Sequence, residues 1–249
     1  WYVEFRDRYV IIPHNPKNAS PIPEVDMKAR WPLTYGYLAN YRKELEDRPS
    51  LRPHGRGNPF YTIYNIGTYT FAPYKVVWKR IAGAITGKAV SFAYAVVEPI
   101  DGKPVIPDDG TILVEAETPD EAYYIAGVLN SIIARSVVAS YTYELGQETH
   151  IIDVIKVPRF DPDNKLHRRI AELSKRAHEL ARCIYASSRP SYCAGVNAED
   201  ELRKAEGEID KAVAELYGIS ESELKEFRRL MAILSGKESP IEGEVKVPG

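Results

Sequence analysis

Basic and aromatic side chains alternate between residues 49 and 81, and this combination suits the binding of phosphates and base edges. Residues 49 to 59 hold three prolines and two glycines, which predict an irregular loop. Arginine can donate two parallel hydrogen bonds to a guanine edge, whereas lysine presents a point charge to a phosphate. The predicted nucleic-acid contacts in this segment are Arg52, His54, Arg56, Tyr64, Tyr69, Tyr74, Lys75, Lys79 and Arg80.

The run from Lys75 to Ile81 is rich in β-branched and aromatic residues and predicts a strand. Side chains alternate between the two faces of a strand, so Lys75 and Lys79 share one face and Trp78 occupies the other. Both lysines are therefore expected to anchor phosphates of the same duplex, and Trp78 is expected to enter the core. The alternative for most of the tyrosines is that they are half-buried packing residues whose hydroxyls bond locally.

Charge is distributed unevenly along the 249 residues, although the net charge is only -2. Residues 1 to 90 contain 14 basic and 7 acidic side chains, a balance of +7. The remaining residues contain 19 basic and 28 acidic side chains, a balance of -9. A basic first third favours phosphate contacts, because Lys and Arg gain affinity for DNA by releasing counterions. The alternative is that the asymmetry reflects only a solvated acidic helical tail.

The sequence contains no run of 18 apolar residues, and its start lacks the basic-then-apolar layout of a signal peptide. We therefore expect a cytoplasmic protein with no membrane partner. The chain opens at Trp1 on an apolar alternating run and has no initiator methionine, which suggests that it was cut from something longer.

Cys183 and Cys193 are the only cysteines, too few for a disulfide framework or a zinc site. In a cytoplasmic protein they are interpreted as free thiols. A single glutamine, Gln147, beside a charged content of 27% would suit a thermophile. In such an organism a bridge between the two cysteines is conceivable.

Hydrophobic periodicity and turn residues predict an α+β fold. Strands are predicted where β-branched and aromatic residues cluster, at 8–13, 60–66, 69–74, 75–81, 89–97, 110–114 and 151–157. Helices are predicted where apolar residues recur at helical spacing, at 32–48, 120–139, 166–184, 202–217 and 220–234. We expect a β-rich domain over residues 1–160, a helical segment over 161–235 that packs on it or on another part of the protein, and a flexible tail over 236–249.

Two stretches are the most informative part of the chain: Phe71-Ala-Pro-Tyr-Lys-Val-Val-Trp-Lys-Arg-Ile81 and Tyr123-Tyr-Ile-Ala-Gly-Val-Leu-Asn-Ser-Ile-Ile-Ala-Arg135. They occur in order with five shorter ones, at 32–38, 45–48, 58–67, 148–158 and 208–218. Across about residues 9 to 234 this order resembles the TaqI-like target-recognition domain of adenine-N6 DNA methyltransferases. That family includes type IIG enzymes, which fuse a methyltransferase to an endonuclease.

The resemblance implies a DNA-recognition module of a restriction-modification system, with double-stranded DNA as its partner. It also implies an N-terminal methyltransferase domain of the same parent protein, which would bind S-adenosylmethionine. Thr149-His150-Ile recurs in this family at the entry to a strand, so His150 joins the expected DNA contacts. The alternative for His150 is a hydrogen-bonded structural role.

Catalytic motifs of such an enzyme are missing from this sequence. Adenine methylation needs a glycine-rich turn for the cofactor and an Asn/Asp-Pro-Pro-aromatic motif for the flipped base. Asn58-Pro-Phe-Tyr61 lacks the second proline, and Gly83-Ala-Ile-Thr-Gly87 is only a weak glycine pair. We therefore expect no catalytic residue, metal site or cofactor in this chain, and expect methylation to come from a segment outside it.

Two alternatives come from other functional classes. A protein-interaction or scaffold module would act through the acidic helices between residues 166 and 234, which show no basic face dense enough for DNA. A Mg²⁺-dependent nuclease would need converging carboxylates, and the nearest candidates are Asp108, Asp109, Glu115 and Glu117. The simpler interpretation of Pro107-Asp-Asp-Gly110 is a turn between strands.

Overall fold

The computed structural model describes residues 1–5, 8–49, 57–80, 93–108, 110–141 and 154–234. Contacts between Cα atoms divide these residues into two compact units. The large unit contains Trp1–Phe5 and the described residues from Pro73 onward, and the small unit contains the described residues between them. The compact units divide near residue 72. The functional boundary expected near residue 160 stays a prediction. The predicted tail lies outside the described residues.

The small unit is built from short helices and loops around an aromatic core. Its helices are α1 (Glu24–Arg30), α2 (Pro32–Ala39) and α3 (Arg42–Glu46), and a 3-10 turn follows at Thr68–Phe71. Met27, Phe60 and Tyr61 form its buried hydrophobic cluster, and Tyr61 donates a 2.8 Å hydrogen bond to the carbonyl of Ile22. The predicted helix over 32–48 is confirmed, with a break at Asn40 and Tyr41.

The strands predicted at 8–13, 60–66 and 69–74 are wrong in this unit. The described residues there form loops, turns and the 3-10 turn, except Tyr74, which begins β1 of the large unit. Backbone groups that strand pairing would use are hydrogen-bonded to side chains instead. The Ile63 amide donates to His14 Nε2 at 2.9 Å, and Arg48 donates to the carbonyls of Phe60 and Thr62. Strand propensity is therefore overridden, because it depends on the partner that the backbone finds.

The large unit contains a three-stranded antiparallel sheet within its described residues. β1 (Tyr74–Lys79) lies in the centre, between β2 (Ala95–Val97) and β3 (Thr111–Ala116). Val76 pairs with Val96 on one side and with Val114 on the other. The strands predicted at 75–81, 89–97 and 110–114 are confirmed over these described parts. Of the strand predicted at 151–157, residues 154–157 are described and do not lie in a strand.

Helices pack on this sheet and on one another to form most of the core. They are α4 (Pro119–Asn130), α5 (Ile132–Tyr141), α6 (Lys165–Tyr185), α7 (Ala198–Tyr217) and α8 (Glu221–Leu234). Local sequence explains their ends: Thr118 accepts a hydrogen bond from the Glu121 amide at the start of α4, and Gly218 ends α7 with a left-handed φ of 67°. The helices predicted in this region are confirmed.

The helix predicted over 120–139 is bent by 59° at Ser131, where α4 ends and α5 begins. The Ser131 hydroxyl accepts from the Ala134 amide at 3.2 Å, and Asp210 of α7 accepts from the Ile132 amide at 2.7 Å. These two acceptors satisfy amides that a helix start leaves unpaired. No single helix of the described residues is long and apolar enough to span a membrane, and only the bent pair α4–α5 passes that test jointly.

The α+β class is confirmed, but helices dominate it. About 53% of the described residues are helical and about 10% are in strands or bridges. Cys183 at the end of α6 forms a disulfide with Cys193, so the interpretation of these cysteines as free thiols is wrong. Both cysteines are buried in the helical core, and the bridge joins the end of α6 to the loop before α7.

Candidate nucleic-acid interface

Lys75 lies at the middle of the sheet and is fully buried, with 0% of its surface exposed. Its Nζ donates to the carbonyl of Val105 at 3.0 Å, and its strand partner on β3 is Glu115. Burial lowers the pKa of Lys75 to about 8, although the negative charge of Glu115 raises it. The ammonium therefore serves the packing of the sheet and is not presented to a phosphate, which corrects the role that we expected for Lys75.

The strand face that carries Lys75 is covered because a distant segment folds over it. Val77, Ala95 and Val97 are buried on that face, and Val3, Val105 and Leu113 pack against them. The opposite face holds Val76 and Trp78 and packs on α4, so the expectation that Trp78 enters the core is confirmed. Alternation assigned the faces correctly, but it could not show that both faces are covered.

Lys79 and Arg80 are exposed at the end of β1 and form the candidate interface of the large unit. Lys79 pairs with Thr111 of β3, and the Arg80 amide donates to the carbonyl of Gly110 at 2.9 Å. These backbone bonds hold both side chains at a fixed place on the sheet. A rigid strand that ends in two cations can bind phosphates without an ordering cost for its backbone.

The three described tyrosines among the expected contacts differ in their surroundings. Tyr74 is half-buried and packs against the core beside Trp78. Tyr69 donates to the carbonyl of Asn65 at 3.1 Å, and its ring covers Gly67 so closely that a Cβ there would clash. Tyr64 is exposed. Tyr69 and Tyr74 thus have packing roles, and Tyr64 presents the most surface to a ligand.

Four expected contacts, Arg52, His54, Arg56 and His150, lie outside the described residues. Their roles stay predictions from the sequence. Asp108 is described, and its carboxylate accepts from the Gly110 amide and the Thr111 hydroxyl, each at 3.1 Å. These hydrogen bonds of Asp108 are the kind that a turn makes, but Asp109 lies outside the described residues. The described residues contain no group of three His, Cys, Asp or Glu side chains placed to hold a metal ion.

Asn130 and His178 form hydrogen bonds with the backbone along the outer edge of β2, a role that the sequence did not predict. Asn130 accepts from the Tyr94 amide at 3.1 Å and donates to the Tyr94 carbonyl at 2.7 Å. The Val96 amide donates to His178 Nε2 at 3.0 Å, and His178 Nδ1 donates to the Ser174 carbonyl at 2.7 Å. An unsealed edge would leave unpaired backbone groups. The sign of this role in the sequence was that Asn130 and His178 are polar residues within the apolar stripes of their helices.

Acid should destabilise the large unit through His178. Burial lowers the pKa of His178 to about 3 from an ordinary value of 6.5, so the folded state keeps the ring neutral while the unfolded state protonates. Stability is then fully present above pH 6.5 and falls as the pH drops toward 3, by about 1.4 kcal/mol per pH unit. Urea unfolding at pH 7.5 and pH 5 measures this loss, and His178→Gln should reduce it by about 2 kcal/mol. Equal losses in both proteins would contradict the assignment.

The small unit presents an unusual apolar surface on α2 and the turn after it. Leu33, Tyr37 and Tyr41 recur at a spacing of four and are 87%, 54% and 48% exposed. The rings of Tyr37 and Tyr41 lie 5.4 Å apart. The other side of this helix contributes Tyr35 and Leu38 to the core, so α2 is apolar on both sides. A helix of that kind usually has a partner on each side.

Comparison with known proteins gives one distant similarity. Over 137 residues the chain is 26% identical to Type II methyltransferase M.NspV of Nostoc sp. (strain ATCC 29411 / PCC 7524). The matched region is 55% of this chain and 26% of that protein, so the chain corresponds to about a quarter of its relative's length. No protein-family model matches, and no solved structure matches significantly. This chain is therefore similar, at a distance, to one part of a type II methyltransferase.

Proposed function

We propose that this chain is the DNA target-recognition region of an adenine-N6 DNA methyltransferase in a restriction-modification system. The observation that carries the proposal is the similarity to part of a type II methyltransferase. The order of motifs between residues 9 and 234 supports the narrower assignment to a recognition region. Exposed cations at the end of β1 supply the charge that such a region needs.

In this proposal the chain grips duplex DNA, and methyl transfer occurs elsewhere. The sequence has neither a cofactor-binding glycine turn nor an adenine-binding Asn/Asp-Pro-Pro-aromatic motif. S-adenosylmethionine and the groups that hold the flipped base would belong to a catalytic part of the parent protein outside this sequence. The sealed sheet would keep Lys79 and Arg80 in place while the DNA is bent or its base is extruded.

The decisive experiment is binding of the 249-residue chain to a randomised duplex pool over a salt series, with sequencing of the bound fraction. An enriched motif together with binding that weakens steeply with salt is the expected result. Absence of binding at low salt would reject the proposal. Cleavage that requires Mg²⁺ would favour a nuclease instead.

Lys79 and Lys75 form a matched pair for locating the interface. Lys79→Gln should weaken binding several-fold for all sequences and lower the slope of log K against log salt by about 0.9, the value for one phosphate contact. Lys75→Met should leave that slope unchanged, because the Lys75 ammonium is buried against Val105. A fluorescence-anisotropy salt titration measures both slopes. A lower slope for Lys75→Met alone would restore the original assignment of Lys75.

A protein-interaction module is the second candidate, and the apolar surface of α2 favours it. Leu33, Tyr37 and Tyr41 offer a contact surface with little charge, unlike a DNA-binding face. Association through such a surface would persist in high salt, because hydrophobic contacts are not screened. Sedimentation of the chain in 1 M salt tests for such association, and the duplex-binding experiment above tests for DNA recognition.

A further inference from the structure

The solvent-facing side of α6 is strongly basic. All of its lysines, arginines and glutamates are exposed, and they comprise six cations and two acids. With 100° between successive residues they fall within an arc of about 140°, and with 1.5 Å per residue the row is about 26 Å long. The cations are Lys165, Arg168, Arg169, Lys175, Arg176 and Arg182, and the acids are Glu172 and Glu179.

The core-facing side of the same helix explains why the charges stay in solvent. Ile170, Ser174, Ala177 and Ala181 are buried within the helical core, where Ile170 also meets Gly127 of α4. The helix is therefore anchored by one side, and its basic side remains available. A surface of this kind is rigid before any ligand arrives, which lowers the cost of binding.

The six cations outnumber the acids beside them, because only Glu172 and Glu179 stand three or four residues from them on the helix. None of them forms an ion pair in the described part of the chain, although Arg176 lies within electrostatic range of Glu201. On α7, in contrast, Arg203 pairs with Asp200 and Lys204 pairs with Glu201. Lys165 stands three residues before Arg168 and four before Arg169, a spacing at which like charges repel. A bound polyanion would relieve that repulsion.

The positive net charge of α6 is cancelled when charge is summed over the whole helical segment. α6 has a balance of +4, whereas α7 holds seven acids and three bases, a balance of -4. The expectation that this segment lacks a basic face dense enough for DNA did not separate α6 from α7. Summing charge along the chain mixed two helices whose solvent faces have opposite sign.

We propose that the basic face of α6 contacts the sugar-phosphate backbone of duplex DNA. The proposal rests on the DNA-recognition function argued above and adds a second contact surface to the end of β1. A row about 26 Å long can meet several phosphates, since each strand of B-DNA carries one charge per about 3.4 Å of axis. Such contacts fix the position of the duplex and carry no sequence information.

The test compares two triple variants of the full chain with equal loss of charge. Arg168→Gln, Lys175→Gln and Arg176→Gln together should weaken duplex binding about ten- to a hundred-fold near 0.1 M salt and lower the salt slope by up to about 2.7. The control carries Lys204→Gln, Lys211→Gln and Lys225→Gln, which are exposed on α7 and α8. It should bind within about twofold of the unaltered chain, because phosphate contacts are short-range at this salt.

Each outcome decides the proposal. Unchanged affinity and slope in the α6 variant, while the unaltered chain binds DNA, would overturn the α6 surface and leave the recognition function standing. Equal weakening in both triples would also overturn it, because only net charge would then matter. Failure of the unaltered chain to bind DNA would overturn both proposals together. Circular dichroism confirms folding, and all six positions are exposed, so loss of structure is not expected.

Discussion

Asn130→Ala should lower the free energy of unfolding of the large unit by about 3–5 kcal/mol, the largest effect that we expect from a single substitution. Asn130 is buried, and its amide group satisfies both the N–H and the carbonyl of Tyr94. Alanine would leave these two backbone groups without a partner beside the apolar core. An unsatisfied buried group costs about 1–3 kcal/mol, so the two costs combine with the lost packing.

Urea unfolding followed by circular dichroism measures this loss. Asn197→Ala is a matched control, because Asn197 caps α7 by accepting from the Asp200 amide at the protein surface. Loss of an N-cap costs about 1 kcal/mol. If the two variants lost equal stability, Asn130 would be acting as an ordinary helix-end residue, and the edge of β2 would be sealed by other groups.

Gly127→Ala should cost about 2 kcal/mol, although alanine ordinarily favours a helix over glycine by about 1 kcal/mol. A Cβ at Gly127 would lie 2.8 Å from Ile170 Cγ2, 3.1 Å from Ser174 Cβ and 3.3 Å from the Ile170 carbonyl. These distances show that α4 and α6 approach each other too closely for a side chain. The packing cost therefore exceeds the gain in helix propensity.

A double-mutant cycle identifies the cause of that cost. Leucine has no methyl group on Cβ, so Ile170→Leu removes the Cγ2 that the new methyl would meet. The double variant should recover about 1 kcal/mol relative to the sum of the single variants. Additive losses would place the strain elsewhere, for example at the Ile170 carbonyl. Thermal unfolding of the four proteins provides the comparison.

The structural roles of Gly127, Asn130 and Ser131 account for much of the stretch between Tyr123 and Arg135. Gly127 permits the close contact of α4 with α6, Asn130 seals β2, and Ser131 starts α5 after the bend. The stretch therefore builds the support for the sheet that carries Lys79.

Local signals in the sequence determined the helices of the large unit and the strand that carries Lys79. Residues next to the helix ends make the expected kinds of contact: Thr118 accepts from the Glu121 amide before α4, Asn164 accepts from the Leu166 amide before α6, and Gly218 ends α7 in a left-handed conformation. These signals act over one helical turn, so they are legible without knowledge of the fold. The alternation of β1 likewise assigned Trp78 to the core.

Only the tertiary structure decided which charges and polar groups stay in solvent. Lys75 is buried because Val105, thirty residues later, folds over its face of the sheet. Asn130 and His178 matter because they meet β2, which lies far from both in sequence. The basic side of α6 faces solvent because the other side of the helix packs into the helical core. Burial is set by contacts between distant segments, and short-range sequence patterns do not contain that information.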